Sequence, residues 1–373
     1  MNVLLIGSYG LGNVGDNTCQ DVMLEFFNSR SDIVKCSHSP VRRGLIEWSD
    51  IVLLGGGGLL YDSGEVISLR KSNSDFCNRI LRYLFLLPKI QKIVQYRFVR
   101  RILRLFPFVT TRTTTVADNY MSPIETAVKL GKVTAGIALG TQGITTEYSK
   151  NIYAKTLSKL DLLTVRDPMD KEVLESIGVS LKDGIEVCED LGWLAKPPGK
   201  CAAEFDIGWV VRWLSDPVEE YRQPILDAIK ALKEQRFTQR VVSFSRTDTN
   251  FLRKIAKEVD IPFFEDLLKD SSIVELAKCR MVVTNRFHAS LFSLLLHRPV
   301  VLLSTRYSSK SEWLLQRAGL PYDFATSPEL VASKVLEVWS GRELDSEYTG
   351  FVDKANKNLT LLNKLMQRCE YAK

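Results

Sequence analysis

Short apolar runs recur along the chain, each closed by glycine or a polar residue: "NVLLIG" (2–7), "DIVKC" (32–36), "DIVLLGGGG" (50–58) and "KVTAGIALG" (132–140). Runs of four to eight apolar residues bounded by turn residues predict buried strands. Stretches with helical spacing lie between them, at 16–29 and 152–160. "DLLTVRDPMDKEVLESIGV" (161–179) predicts strand, turn and helix, with Asp167 as N-cap, Pro168 as first helical residue and Gly178 as the stop. After "AKPPGK" (195–200), a linker by composition, the alternation restarts. "FDIGWVVRW", a helix at 217–235, "QRVVSFS", a helix at 250–258, "CRMVVT", a helix from 287 and "RPVVLLS" make a second unit, and 346–373 predicts a final helix. Strands alternating with helices predict an α/β protein of two doubly wound domains, with ligands at the carboxyl ends of the strands. The expected bounds are 1–198, 199–345 and a helix 346–373 that packs back on the first domain.

A length of 373 residues agrees with two domains. Seven scattered cysteines without a CxxC pair fit free thiols in a reducing compartment. No apolar run approaches the ~20 residues of a membrane span, and the opening "MNVLLIG" has no basic leader. The expectation is a cytoplasmic protein.

"GSYGLGNVGD" (7–16) satisfies G-x-G-x-x-G through Gly10, Gly12 and Gly15, between a strand and a helix. A dinucleotide site would also need a carboxylate at the end of the second strand. That strand ends "VKCSHSP", which argues against NAD. A tight turn is one alternative, and amides at the helix start holding an anionic or hydroxyl-rich ligand is another. Asn13 and Asp16 are the polar candidates there. The four glycines of "LLGGGGLLYD" exceed what one turn requires, so Gly56 and Gly57 are candidates for a site wall, with Asp62 beyond them. Gln142 in "GTQGI" offers both a donor and an acceptor.

The chain has three histidines, and one lies in "VVTNRFHASLF", two residues after Arg286 at a strand-to-helix junction. Arginine recognises carboxylate or phosphate with a fixed fork, and histidine moves protons near neutral pH. Arg286 and His288 are therefore the leading candidates, with a satisfied structural histidine as the alternative. His297 fits a helix end and His38 a solvated loop. Arg212, Lys310 and the nearby Arg306 are further cations that could reach the crevice, or simple surface charges. There is no P-loop, HExxH, G-x-S-x-G or D-x-D metal motif, and no metal is expected.

Taken in order, these segments resemble the polysaccharide pyruvyl transferases. "GSYGLGNVGD" is similar to that family's N-terminal glycine motif, "DIVLLGGGGLLYD" to its GGG-[GS]-x-x-x-D segment and "GIALGTQGI" to its G-Q-G-I segment. "LLTVRDPMDKEVLESIGV" resembles its S-x-R-D helix start, with Thr164 in place of serine, and "VCEDLGWLA" its domain-closing aspartate segment. "MVVTNRFHASLFSLLLHRPVVLLSTRYSSK" resembles its R-x-H helix followed by tyrosine and lysine. The resemblance implies two facing Rossmann-like domains, as in GT-B glycosyltransferases, with a central cleft. It implies phosphoenolpyruvate as co-substrate, no other cofactor, and a glycan or lipid-linked sugar acceptor bridged as a pyruvate ketal with release of phosphate. Arg286 and His288 would inherit the donor site, with Arg212 and Lys310 as weaker carry-overs. Gly10, Asn13, Asp16, Gly56, Gly57, Asp62 and Gln142 would form the acceptor side or the cleft wall. The alternative is a metal-independent GT-B glycosyltransferase that uses a nucleotide sugar. A binding protein without turnover is a third possibility.

The chain departs from the family between about 63 and 123, expected to be a basic helical insertion. Residues 77–109 carry Arg79, Arg82, Lys89, Lys92, Arg97, Arg100, Arg101 and Arg104 and no carboxylate, so the rest of the chain nets −2 against a total of +6. From 89 to 106 the cations fall on one half of a helical wheel and Val94, Phe98, Val99, Ile102, Leu105 and Phe106 on the other. That pattern suits a helix lying on an anionic membrane surface, which would place the protein peripherally at the inner face of the cytoplasmic membrane. A core helix with a solvated basic face is the alternative, and no nucleic-acid module accompanies the charge.

Overall fold

A computed structural model describes residues 1–38, 40–62, 66–68, 112–114, 116–199, 201–212, 218–267, 269–303, 309–319, 330–340 and 348–371. The basic segment 77–109 and Arg306 lie outside the described residues. Two parallel sheets organise the chain. The first has the order β2-β1-β3-β6-β7-β8, made of Asn2–Ile6 (β1), Ile33–Ser37 (β2), Ile51–Tyr61 (β3), Val133–Gln142 (β6), Leu162–Val165 (β7) and Glu186–Val187 (β8). The short strands Val66–Ser68 (β4) and Arg112–Thr114 (β5) pair antiparallel at the two ends of the insertion. The second sheet has the order β11-β10-β9-β12-β13, from Phe205–Val210 (β9), Gln239–Val242 (β10), Phe263–Phe264 (β11), Cys279–Thr284 (β12) and Val300–Leu302 (β13).

The central strands are apolar on both faces because helices cover both faces. Helix Val14–Ser29 (α1) and the last helix, Thr349–Tyr371, close one face of the first sheet, burying Val22, Met23, Phe27, Leu362 and Met366 against Val3, Leu5 and Ile137. Helix Val116–Lys129 and helix Glu147–Leu157 close the other face. The latter begins five residues before the expected 152, because Thr146 caps it by accepting a hydrogen bond from Ser149 N. The helix after β7 starts as expected, with Asp167 as N-cap and Pro168 first, and Gly178 follows its end at φ +91°. His297, at φ +54°, takes the left-handed position after helix Phe287–Leu295.

The strand ends of the two sheets meet. Val14 N donates to Phe244 O at 3.0 Å, Arg246 N donates to Gly12 O at 2.8 Å, and Asn13 pairs with Ser245 as an isolated antiparallel bridge. So the loop after β1 is joined, backbone to backbone, to the loop after β10. The chain crosses between the domains through a 3-10 turn, Leu191–Leu194, whose Trp193 is buried and stacks on Phe351 at 4.7 Å. The last helix thereby touches the crossover, and it also locks onto the first sheet. Asn358, fully buried, accepts from Thr164 Oγ1 and donates to Glu189 O (2.8 Å) and Ala355 O (3.1 Å). Among the described residues no helix is long and apolar enough to cross a membrane.

Replacing Asn358 by Ala leaves a buried hydroxyl and carbonyl without their partner, which costs about 1–3 kcal/mol. Urea unfolding of Asn358→Ala is expected to show a loss of that size, whereas Asn356→Ala, two residues away, is expected to be within about 0.5 kcal/mol of the parent.

Candidate functional site

Where the two sheets meet, the side chains converge on one buried carboxylate. Asp190 lies just after β8, and its own side chain caps the crossover turn by accepting from Gly192 N at 2.8 Å. Arg166, just after β7, donates to it at 3.1 Å, and the Cys19 thiol donates at 3.5 Å from the first helix. From the second domain, His288 Nε2 stands 3.4 Å from Asp190 Oδ1. Burial alone would raise this carboxyl, but the neighbouring His288 and Arg166 charges and the Gly192 amide hold it well below the ordinary carboxylate range. Asp190 is therefore an ionised group with 1% of its surface exposed.

Arg166 is buried to 3% exposure. Its guanidinium also faces Asp170 at 3.6 Å and lies 4.7 Å from the Phe287 ring centre. It rests directly on Gly140, where any Cβ would overlap the guanidinium. The same device recurs for His288. Its imidazole lies on Gly15, with Nδ1 at the position a Cβ would need. Gly57, at φ +92°, would place a Cβ 2.5 Å from Asp16 Oδ1, and Gly56, at φ +67°, one 2.5 Å from Cys19 Cβ. The glycines expected to admit a ligand thus admit the protein's own side chains. Their left-handed angles coincide with a register shift between β3 and β6 around Gly57, which bends the strand as it reaches the site.

Asp16 occupies the first turn of α1 and is half-buried. Burial raises its carboxyl to about 6, the Asp190 charge adds to the rise, and His288, Arg166 and Arg286 oppose it. Arg286 is the N-cap residue of helix Phe287–Leu295 and pairs with Asp248, a carboxylate with no exposed surface on helix Arg246–Val259. Burial lowers the Arg286 guanidinium, Asp248 supports it, and Arg212 opposes it as a like charge close by. Arg212 follows β9, its amide donating to Asn285 Oδ1 at 2.6 Å. Arg286, His288, Arg212 and Asp16 are therefore brought together.

Lys310 shares Asp170 with Arg166. In the first turn of helix Ser309–Arg317 it reaches across to Asp170 Oδ1 at 3.4 Å, and burial together with Arg166 pushes it down to about 8. Asn13 caps α1, accepting from Gly15 N at 3.2 Å. With Val14 N on Phe244 O, the first two amides of α1 are occupied from within the protein, which fits the tight-turn alternative for this loop. Gly10 is exposed at φ +70°, its amide donating to Asn17 Oδ1. Asp62 spans the turn before helix Glu147–Leu157, accepting from the Thr145 and Thr146 amides, both at 2.6 Å, and from both hydroxyls. Gln142 is exposed, and its amide packs near Gly58. Sequence reasoning missed Arg166, Asp190 and Asp248. "TVRD" and "CEDLG" held the first two in view, but only as helix-start and domain-closing signals.

Cys19, Asp190 and His288 bring three potential ligand atoms within 4.8 Å of one another. The Cys19 thiol, raised by burial, donates to Asp190, and Arg166 pairs with the same carboxylate.

Asp16 has a consequence for stability. Between pH 4 and 6 the folded protein holds a proton that the unfolded chain has lost, so stability falls as pH rises through that window. The rise from 3.8 to about 6 corresponds to about 1–3 kcal/mol once partial solvation is allowed for. Asp16→Asn is expected to be more stable than the parent by that amount at pH 8 and no different at pH 3.5, measured by urea unfolding at each pH.

A family model described as polysaccharide pyruvyl transferase matches residues 118–307, half of the chain. None of the curated proteins matches it. Among solved structures, the fold is similar to that of a candidate UDP-N-acetylglucosamine 2-epimerase from Listeria monocytogenes, with TM-score 0.61, 11% identity, and 98% of this chain and 97% of that one covered. The UDP-GlcNAc 2-epimerase of Methanocaldococcus jannaschii gives 0.57 at 10% identity, covering 98% and 100%. That of Neisseria meningitidis, bound to UDP-GlcNAc, gives 0.56 at 10% identity with the same coverage. At such identities the likeness shows the fold alone, the GT-B-like pair of facing Rossmann-like domains. With the family model spanning the strands and loops that carry Arg166, Asp190, Arg286 and His288, the chain belongs to the polysaccharide pyruvyl transferase family.

Proposed function

We propose that this protein transfers pyruvate from phosphoenolpyruvate to a pair of sugar hydroxyls on a glycan or lipid-linked glycan, forming a cyclic ketal and releasing phosphate. The observation that carries this reading is the grouping of Arg286 and Arg212 beside His288 at the seam of the two domains. Phosphoenolpyruvate carries a carboxylate and a phosphate, and Arg286 and Arg212 act on each other as like charges, so a second anion beside Asp248 would ease that repulsion. Arg286 is oriented by Asp248, so its fork is fixed before the donor arrives. Lys310, 3.4 Å from Asp170, would join the donor only by exchanging that partner.

The chemistry needs a proton on the methylene carbon, which makes C2 electrophilic. His288 is the proton donor in this reading. Asp190 Oδ1 faces the Nε2 edge at 3.4 Å, in the place that the carboxylate of a catalytic triad takes beside its histidine. Nδ1, over Gly15, is then the nitrogen that works. The acceptor would enter from the side of the first domain, where Asp16, Gly57 and Gln142 line the approach. The enzyme would act at the cytoplasmic face of a membrane, held there by the basic segment 77–109, whose cations each contribute on the order of 1 kcal/mol at an anionic surface.

His288→Ala is expected to lower kcat by ~10²–10⁴-fold and leave phosphoenolpyruvate affinity within a few-fold, since proton transfer belongs to the transition state. Arg286→Lys keeps the charge against Asp248 but loses the fork, and is expected to weaken phosphoenolpyruvate binding by about 10-fold or more. Phosphate release with an acceptor panel and calorimetry with phosphoenolpyruvate check both. A parent protein that ignores phosphoenolpyruvate but is stabilised by UDP would overturn the donor assignment.

The membrane proposal is checked by sedimentation with vesicles. Binding is expected with anionic lipid at low salt, falling as salt rises. Equal indifference to anionic and neutral vesicles at low salt would remove it.

A further inference from the structure

His288 is flanked by two carboxylates in opposite circumstances. Asp190 is fully committed: Gly192 N, Arg166 and Cys19 all donate to it, and it is buried to 1% exposure. Asp16 is not. It is only half-buried, and among the described residues no hydrogen bond reaches its carboxylate. A carboxylate kept for structure is normally satisfied by donors. This one is instead given room: Gly57 takes a left-handed angle at which Asp16 Oδ1 lies 2.5 Å from where a Cβ would stand. Its position in the first turn of α1 fixes it next to Gly15, on which the His288 imidazole rests.

We propose that Asp16 is a second catalytic residue, the base that takes the proton of the attacking sugar hydroxyl while His288 supplies the proton to the methylene carbon. The inference rests on the pyruvyl-transfer reading. The proton balance closes over one turnover. In the first half, protonated His288 gives its proton to the methylene carbon, the first hydroxyl oxygen bonds to C2, and Asp16 takes that hydroxyl's proton. In the second half, the second hydroxyl attacks C2 and gives its proton to the now neutral His288. The C2–phosphate oxygen bond breaks, and Asp16 returns its proton to the departing phosphate. Two hydroxyl protons are consumed, one ending on carbon and one on phosphate, and both side chains regain their starting state.

The electrostatic setting suits the two duties. Two carboxylates whose environments separate them this widely mark an anchor and a proton carrier. Asp190 stays charged throughout and can only orient and stabilise. Asp16, raised by burial to about 6, accepts a proton readily near neutral pH and gives it up again. Tyr61, at the end of β3, is itself raised by burial and by the neighbouring Asp16 charge.

The test is the pH profile of kcat/KM from pH 5 to 9 for the parent, Asp16→Asn and Asp16→Glu, with phosphoenolpyruvate affinity measured by calorimetry. The parent is expected to lose activity below about pH 6. Asp16→Asn is expected to lose ~10²–10⁴-fold in kcat at pH 7.5 with phosphoenolpyruvate affinity held within about 3-fold, and to lose the fall below pH 6 from its residual activity. Asp16→Glu, which keeps a movable carboxylate, is expected to retain that fall and more of the rate. An Asn variant that keeps the parent's kcat overturns the assignment. So does one whose rate drops equally at every pH with the acid limb in place, since that is the mark of a structural part. A parent that releases no phosphate from phosphoenolpyruvate with any acceptor overturns the pyruvyl-transfer reading itself, and this inference with it.

Discussion

Asp190 has to stay ionised with almost none of its surface in water, and the geometry around it follows from that requirement. An isolated buried carboxylate would take up a proton. Here the charge is retained because a guanidinium, a backbone amide, a thiol and an imidazole all face it, and they come from four separate parts of the chain. Arg166 arrives from the end of β7, Gly192 from the crossover turn, Cys19 from α1 and His288 from the second domain. Meeting this one electrostatic demand aligns the first sheet, the connection between domains and the second sheet at a single point.

Glycine is what lets bulky charged groups come so close. Gly140 under Arg166, Gly15 under His288 and Gly57 under Asp16 each give a side chain the space of a missing Cβ. Three close approaches of this kind in one site hold the ring and the two charged groups by contact with backbone, which moves less than side chains do. The cost lies in strained strand geometry, including Ala138 at φ +49° on β6 beside the glycine run, where the amide is held by Thr164 Oγ1 at 2.7 Å.

Much of this was legible in the sequence. Short apolar runs ended by glycine located β1, β3 and β6 to within a few residues, because a buried parallel strand has few other ways to be written. Arg286 and His288 stood out because both lie at a strand's carboxyl end, and the structure does turn them to the same seam. Arg166 and Asp190 were harder. A buried ion pair leaves no periodicity, and neither residue announces its partner until the fold joins positions 24 apart with a third from the other domain. The glycine run has a second use that the sequence did not show, since a missing side chain admits a neighbouring side chain as readily as a ligand. The partners of Asp62 were out of view for a similar reason: the two threonines that bond its oxygens lie 83 and 84 residues further on.

The last helix bears on how such a chain folds. Its Leu362 and Met366 complete the apolar face shared by α1 and β1, and its Asn358 ties to Thr164, yet it follows every strand of the second domain in sequence. The first sheet therefore waits, one face covered by α1 alone, while the second domain is synthesised. Coverage of that face is completed only once the last helix is made, and a nascent chain arrested before residue 349 would leave part of the apolar surface around Val3, Leu5 and Ile137 open to chaperones.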